Sequence, residues 1–131
     1  MGAFEQLFKP CQIGSLTLKN RLCTTAMEAC YCDRDGKVTP RYQAYIEARA
    51  KGGWGLITTE FAAVSIQGRA FLNCLGFWDD AHIEGNKKLV DAVHKYEGAK
   101  ICAQLAHGGR QTGRLEAEGE TVAPSRLPDP T

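Results

Sequence analysis

The chain has 131 residues, the length of one ordinary domain, and 44% of them are hydrophobic, enough to support a core. With 16 basic and 15 acidic residues, its charge indicates neither nucleic acid nor an anionic membrane as a partner. The apolar runs are far shorter than a membrane span, and the N-terminus lacks the charged start and apolar centre of a signal peptide. We therefore predict a cytoplasmic protein that binds no nucleic acid and no membrane.

The six cysteines are predicted to be reduced structural thiols. Cys23 and Cys102 lie inside apolar segments that are predicted to be buried strands, where a free cysteine behaves as a small apolar residue. Cys30 and Cys32 are close in sequence, but Cys-x-Cys without a second pair is a poor zinc or iron–sulfur pattern. We predict no metal site.

The first predicted elements are a hairpin and a strand. Residues 11–19 form two short alternating runs around Gly14-Ser15, a turn signal that predicts a small β-hairpin. Residues 22–27 contain no charged side chain and are predicted to form the first strand of the main sheet.

The next predicted element is a helix that begins at Thr39-Pro40. Thr39 suits the N-cap, Pro40 the first helical position, and Gly52 the position just past the end. Helical spacing predicts a face packed on the sheet that consists of Tyr45, Ile46 and Ala50.

A second strand, 56–60, and an irregular stretch, 61–78, are predicted next. Asp79 or Asp80 then caps a helix that runs to about Glu97, with a stop at Gly98. Its apolar stripe is predicted to include Ile83, Leu89, Val90, Val93 and Tyr96.

The third strand begins at Lys100 and ends in the polar, glycine-rich residues before Arg110. Beyond Arg110 the pattern predicts no helix or strand. Repeated strand–loop–helix units are typical of a parallel α/β sheet, in which ligands bind at the carboxyl ends of the strands.

Several side chains with useful chemistry follow these strands. The Gln104 amide can donate and accept hydrogen bonds at once, which suits a heterocycle with imide and carbonyl groups, and a buried Gln104 needs such a partner. Met27 can pack under a flat ring, and backbone groups at Ala26 and Phe61 can bind its edge. Glu60 is interpreted as a structural hydrogen-bond partner, since it ends a buried strand.

The three histidines are interpreted as non-catalytic. His107 is predicted to fix the loop after the third strand rather than to act as a base. His82 and His94 are predicted to be solvated.

The sequence resembles the Old Yellow Enzyme family, the NAD(P)H-dependent flavin oxidoreductases. The resemblance covers nearly the whole chain, and its motifs occur in the family's order. These motifs are Leu7-Phe8-Lys9-Pro10, Ile13-Gly14-Ser15-Leu16-Thr17-Leu18-Lys19-Asn20-Arg21, Gly55-Leu56-Ile57-Thr58-Thr59-Glu60, Gln67-Gly68-Arg69, Gly76-Phe77-Trp78-Asp79-Asp80, Gln104-Leu105-Ala106-His107-Gly108-Gly109-Arg110 and Val122-Ala123-Pro124-Ser125.

The resemblance implies a (β/α)8 barrel that holds FMN at its mouth. It places the segment 25–28 against the flavin after the first strand, Phe61 near the flavin after the second, and Gln104 on its pyrimidine side. The implied cofactor-binding residues are thus Thr25, Ala26, Met27, Glu28, Phe61 and Gln104. The hairpin is implied to close the bottom of the barrel.

Three positions depart from the family pattern. Ala26 stands where a proline is usual, and Phe61 is bulkier than the expected small residue. Glu28 stands where Cys, Thr or Gly is common. An ionised carboxylate there would disfavour the anionic reduced flavin and lower its potential.

The family's substrate-binding histidine pair (or His and Asn), proton-donating tyrosine and FMN-phosphate site come later than the third strand, so we expect no catalytic residue within this chain. A (β/α)8 barrel needs about 250 residues. We expect residues 1–131 to form the N-terminal segment of such a domain, with about three βα rounds, as a truncated chain, a gene fragment or one piece of a split enzyme. Any iron–sulfur cluster would lie beyond this chain.

The leading hypothesis is thus part of an FMN-dependent NAD(P)H oxidoreductase that reduces activated C=C bonds of unsaturated carbonyl substrates. By itself the segment is expected to be inactive and to need the remainder of the barrel or self-association. The alternative is a non-catalytic βα fragment that self-assembles through open sheet edges without flavin. A dinucleotide-binding Rossmann unit is disfavoured, since no Gly-x-Gly-x-x-Gly follows the first strand.

Overall fold

The computed structural model describes residues 4–113, 119, 121–125 and 127. The predicted hairpin is confirmed. Strands β1 (Cys11–Ile13) and β2 (Leu16–Leu18) pair in antiparallel register. Gly14, in the turn between them, has φ +57°, a left-handed conformation that glycine adopts without steric cost.

The main sheet is parallel and is built around one long strand. It comprises β3 (Cys23–Thr24), β4 (Leu56–Ala63), β5 (Leu75–Gly76) and β6 (Lys100–Ala106). β4 pairs with β6 along its length, with β3 at its beginning and with β5 at its end. The predicted strand–helix alternation is therefore confirmed.

Two strand predictions need correction. The first strand is shorter than the predicted 22–27, because only Cys23 and Thr24 have partners on β4. The stretch 61–78 is not wholly irregular. β4 continues to Ala63. β5 pairs with the end of β4, on the same edge whose beginning pairs with β3.

α1 (Pro40–Lys51) begins where its capping residues predict, whereas α2 (Ile83–His94) begins later than predicted, after a 3₁₀ turn, Asp80–His82, that Asp79 caps. α1 starts with the Thr39 Oγ1 atom accepting a hydrogen bond from the Tyr42 N–H at 3.2 Å, and ends before Gly52. α2 ends at His94, three residues before the predicted end at Glu97.

The core lies between the two helices and one face of the sheet. α1 buries Tyr42, Ile46 and Ala50, whereas the predicted Tyr45 is half-buried at the margin. α2 buries Leu89, Ala92 and Val93, and these side chains belong to one cluster with Ile57, Ala62 and Leu75 of the sheet. Ile83 is exposed, contrary to prediction, and borders a groove of about 810 Å³ beside α2 and β6.

Cys23 and Cys102 are exposed, so their predicted burial is wrong. Among the described residues, no element packs over their face of the sheet, and β6 pairs with β4 alone. Leu105, the register partner of the buried Ala62, points to the opposite face of β6 and is 62% exposed. All six cysteines are free thiols. Within the described ranges, neither helix has the length and apolar character that crossing a membrane requires.

Candidate functional site

The carboxyl ends of β3, β4 and β6 meet at one edge of the sheet because the three strands are parallel. Phe61 and Gln104 are direct register partners there. Glu28, four residues past the end of β3, lies beside Glu60 of β4, whose charge acts on it. We call Glu28, Phe61 and Gln104 the sheet mouth.

The other predicted contacts lie along β3. Thr25 and Met27 border a shallow groove of about 380 Å³ together with Arg49 and Trp54. Met27 is 62% exposed, and Ala26 between them is half-buried. The six predicted residues therefore form two groups rather than one closed pocket. Thr25, Ala26 and Met27 follow β3, Glu28, Phe61 and Gln104 form the sheet mouth, and the backbone of 25–28 joins the two groups.

Gln104 is exposed, which corrects the expectation of a buried amide. Its side chain has no hydrogen-bond partner among the described residues, whereas its backbone N–H donates to the Thr59 hydroxyl at 3.2 Å. The amide can therefore serve a ligand, because no described side chain uses its donor and acceptor atoms.

Glu60 is the structural hydrogen-bond partner that was predicted. Its side chain is 1% exposed, and Oε2 accepts hydrogen bonds from the backbone N–H groups of Ala29 at 2.7 Å and Cys30 at 3.0 Å. Oε1 accepts from the Cys32 thiol at 3.5 Å. One buried carboxylate thus anchors the loop immediately after Glu28.

The Glu28 carboxyl is held partly neutral. Burial, followed by the charge of Glu60 and a hydrogen bond to it, raises the pKa of Glu28 from 4.5 to about 7. The neighbouring Cys30 thiol stays protonated, since burial and the charge of Glu28 raise its pKa to about 11. The negative charge expected at this position is therefore only partial near neutral pH.

Phe61 is held by an aromatic contact. Its ring meets the Phe71 ring edge-on, with centroids 6.2 Å apart. Phe71 is exposed and lies in the stretch that the sequence predicted as irregular. Nothing in the local pattern distinguished it, because the contact depends on how the 61–78 segment folds back.

Each of the three histidines has a different environment: His107 fixes a loop, His82 is buried and His94 is exposed. His107 packs on Gly68, where a Cβ atom would lie 2.3 Å from the imidazole, and its Nδ1 accepts from the Gly109 N–H at 3.0 Å. His94 is exposed, as predicted. His82 is buried, contrary to prediction, because its ring packs against Trp78 and its Nε2 lies 2.8 Å from the Asp35 carbonyl oxygen.

Two residues that support the sheet mouth were not predicted. The Thr59 hydroxyl bonds the Gln104 backbone, and the Tyr42 hydroxyl accepts from the Glu60 N–H at 3.1 Å. Both lie in regular elements, where the sequence signals only strand and helix. Among the described residues, no group of three His, Cys, Asp or Glu side chains is arranged to hold a metal.

The chain resembles flavin oxidoreductases in sequence and structure. The family model described as "NADH:flavin oxidoreductase / NADH oxidase family" matches residues 6–130. An NADPH dehydrogenase of Bacillus subtilis (strain 168) is 45% identical over 125 residues, which are 94% of this chain and 36% of that protein. The chain thus spans about a third of the length of the curated relatives it matches.

Solved structures give the same result. The Old Yellow Enzyme homologue from Zymomonas mobilis superposes with a TM-score of 0.89 and 32% identity, over 96% of this chain and 35% of that one. Morphinone reductase in complex with tetrahydroNAD superposes with a TM-score of 0.83 and 36% identity, over 92% of this chain and 33% of that one. The predicted fold, the first part of an α/β (β/α)8 barrel, is confirmed.

Proposed function

The chain belongs to the NADH:flavin oxidoreductase / NADH oxidase family, and from this premise we propose that it supplies one wall of the FMN site of an NAD(P)H-dependent oxidoreductase. The main support for this proposal is that Phe61 and Gln104 are register partners on neighbouring strands. They lie next to the loop after Glu28, which Glu60 anchors. The residues fit the cofactor, since the exposed amide of Gln104, which has no partner among the described residues, and the exposed thioether of Met27 flank the end of the same sheet.

Each residue has a proposed task at the flavin. Gln104 donates to and accepts from the pyrimidine edge, Met27 packs on the ring, and the backbone of Thr25, Ala26 and Glu28 borders it. Phe61 contributes an apolar edge. Bound FMN supplies the capacity to accept hydride from a reduced nicotinamide and deliver it to a substrate.

We further propose that the substrate is a small molecule with an activated C=C bond next to a carbonyl group. The exposed sheet mouth is lined by one aromatic ring, one amide and one partly neutral carboxyl, which suits an uncharged conjugated ligand. The six free cysteines favour action in the reducing cytoplasm.

The chain alone is proposed not to turn over, because it matches only about a third of its relatives' length. A chimera in which this chain replaces the matching third of the Bacillus subtilis relative provides the remainder. In that chimera, Gln104→Ala should weaken FMN binding about tenfold, which corresponds to loss of roughly 1.4 kcal/mol. Gln12→Ala is the matched control, since Gln12 is exposed on the hairpin. Equal FMN affinity in both variants would contradict the assignment of Gln104.

A second candidate is a flavin-free fragment that self-assembles. It is favoured by the edge of β6 that pairs with no described strand and by the exposure of Leu105 on β6. Sedimentation velocity of the 131-residue chain and the flavin content of the chimera together distinguish the candidates. Assembly of the chain that Leu105→Lys abolishes, with a folded chimera that retains no FMN, would favour this second function.

A further inference from the structure

A β-bulge interrupts the pairing of the two longest strands at the candidate site. Thr58 is paired with Cys102 and Phe61 with Gln104, so Thr59 and Glu60 together stand opposite Ala103 alone. Such a bulge leaves backbone groups without ladder partners and redirects the side chains that follow it. Here it puts Thr58 and Phe61 on the same face of the sheet, although they are three residues apart.

The Thr59 side chain fills the gap in the ladder. Its hydroxyl is buried, accepts a hydrogen bond from the Gln104 N–H at 3.2 Å and donates one to the Glu60 carbonyl oxygen at 3.0 Å. A hydroxyl can do both at once. The backbone of Gln104 is therefore fixed by a side chain where a regular ladder would use a backbone carbonyl.

The Glu60 side chain reaches in the other direction, to the loop after β3. Its Oε2 accepts from Ala29 and Cys30, and Cys30 has φ +51°, a left-handed conformation that is uncommon for a residue with a side chain. Such a conformation persists where its surroundings fix it. The bond from the Cys30 N–H to a buried carboxylate is one such restraint.

We propose that Thr59 and Glu60 are positioning residues, by which one bulge aligns both the backbone of Gln104 and the loop that carries residues 25–28. This inference rests on the proposed function, since the aligned segments are the proposed flavin contacts. A binding site needs its contacts held within about 0.5 Å, and here two separate segments take their alignment from adjacent residues of the same strand.

Amide hydrogen exchange of the flavin-free 131-residue protein tests the proposal residue by residue. Thr59→Val keeps the side-chain shape and removes the hydroxyl, so exchange at Gln104 should accelerate roughly five- to tenfold while Ala29 and Cys30 are unaffected. Thr59→Ser should restore exchange at Gln104, because it restores the hydroxyl. Thr17→Val, on the exposed face of the hairpin, is the matched control.

Glu60→Gln should give the reverse pattern. Exchange at Ala29 and Cys30 accelerates, because bonds to a charged acceptor are about twice as strong as bonds to a neutral one, while Gln104 keeps its protection. Unchanged exchange at Gln104 in Thr59→Val, or equal acceleration at all three amides in both variants, would overturn the proposal. The flavin-free readout keeps this outcome separate from the proposed function, which fails if the chimera binds no FMN.

Discussion

Replacing Tyr42 with phenylalanine tests how strongly the bulge depends on the helix beneath it. Tyr42 is fully buried, and its hydroxyl accepts the hydrogen bond of the Glu60 N–H at 3.1 Å. Without that oxygen atom, a buried donor inside the bulge has no acceptor, and an unsatisfied buried group costs about 1–3 kcal/mol. We therefore expect Tyr42→Phe to lower the free energy of unfolding by about 2 kcal/mol.

Urea unfolding measures this loss, with Tyr45→Phe as the matched control. Tyr45 lies on the same helix, is half-buried and makes its contacts through its ring, against Tyr31 and the Arg49 guanidinium. Its substitution should change stability by less than about 0.5 kcal/mol. Equal urea midpoints and equal m-values for the two variants would contradict the dependence of the bulge on the Tyr42 hydroxyl.

Two further predictions concern other parts of the site. Gly68→Ala places a methyl group 2.3 Å from the His107 ring and should cost about 1–3 kcal/mol. In a His107→Ala background this cost should largely disappear, and an equal cost in both backgrounds, measured by urea unfolding, would contradict the contact. Burial raises the pKa of Glu28 from 4.5 to about 7, so the folded chain retains a proton that the unfolded chain has released, and stability falls as pH rises across that interval. Glu28→Gln should remove this part of the decline in Tm with pH, whereas Glu84→Gln, on the exposed side of α2, should leave it. Superimposable Tm–pH profiles of wild type and Glu28→Gln would disprove the shift.

Local signals predicted the elements whose ends are set by capping and turn chemistry. Thr39, Pro40 and Gly52 bound α1 as expected, and Gly14 turns the hairpin. These features depend on a few neighbouring residues, so the sequence carries them directly.

Burial was predicted less well, because it depends on what covers a surface. Cys102 and Gln104 lie in a segment that reads as a buried strand, yet no described element covers their side of β6. His82 shows the opposite error, since the polar turn that carries it folds against Trp78. Strand periodicity predicts neither the uncovered face of β6 nor the burial of His82.

The bulge was also invisible in the sequence. Thr59 and Glu60 continue an apolar segment that is equally compatible with a regular strand, and the register shift appears only in the pairing with β6. The resemblance implies which residues approach the flavin, and this assignment stays a proposal, whereas the hydrogen bonds that hold Gln104 and the loop after Glu28 come from tertiary structure.

Flavin content and NADPH oxidation of the chimera that joins this chain to the remaining two thirds of the Bacillus subtilis relative test directly whether this chain forms a wall of the flavin site. We expect a yellow protein with one FMN per chain that oxidises NADPH, while the 131-residue chain alone is colourless and inactive. A folded chimera that retains no FMN would contradict the proposal that this chain forms a wall of the flavin site.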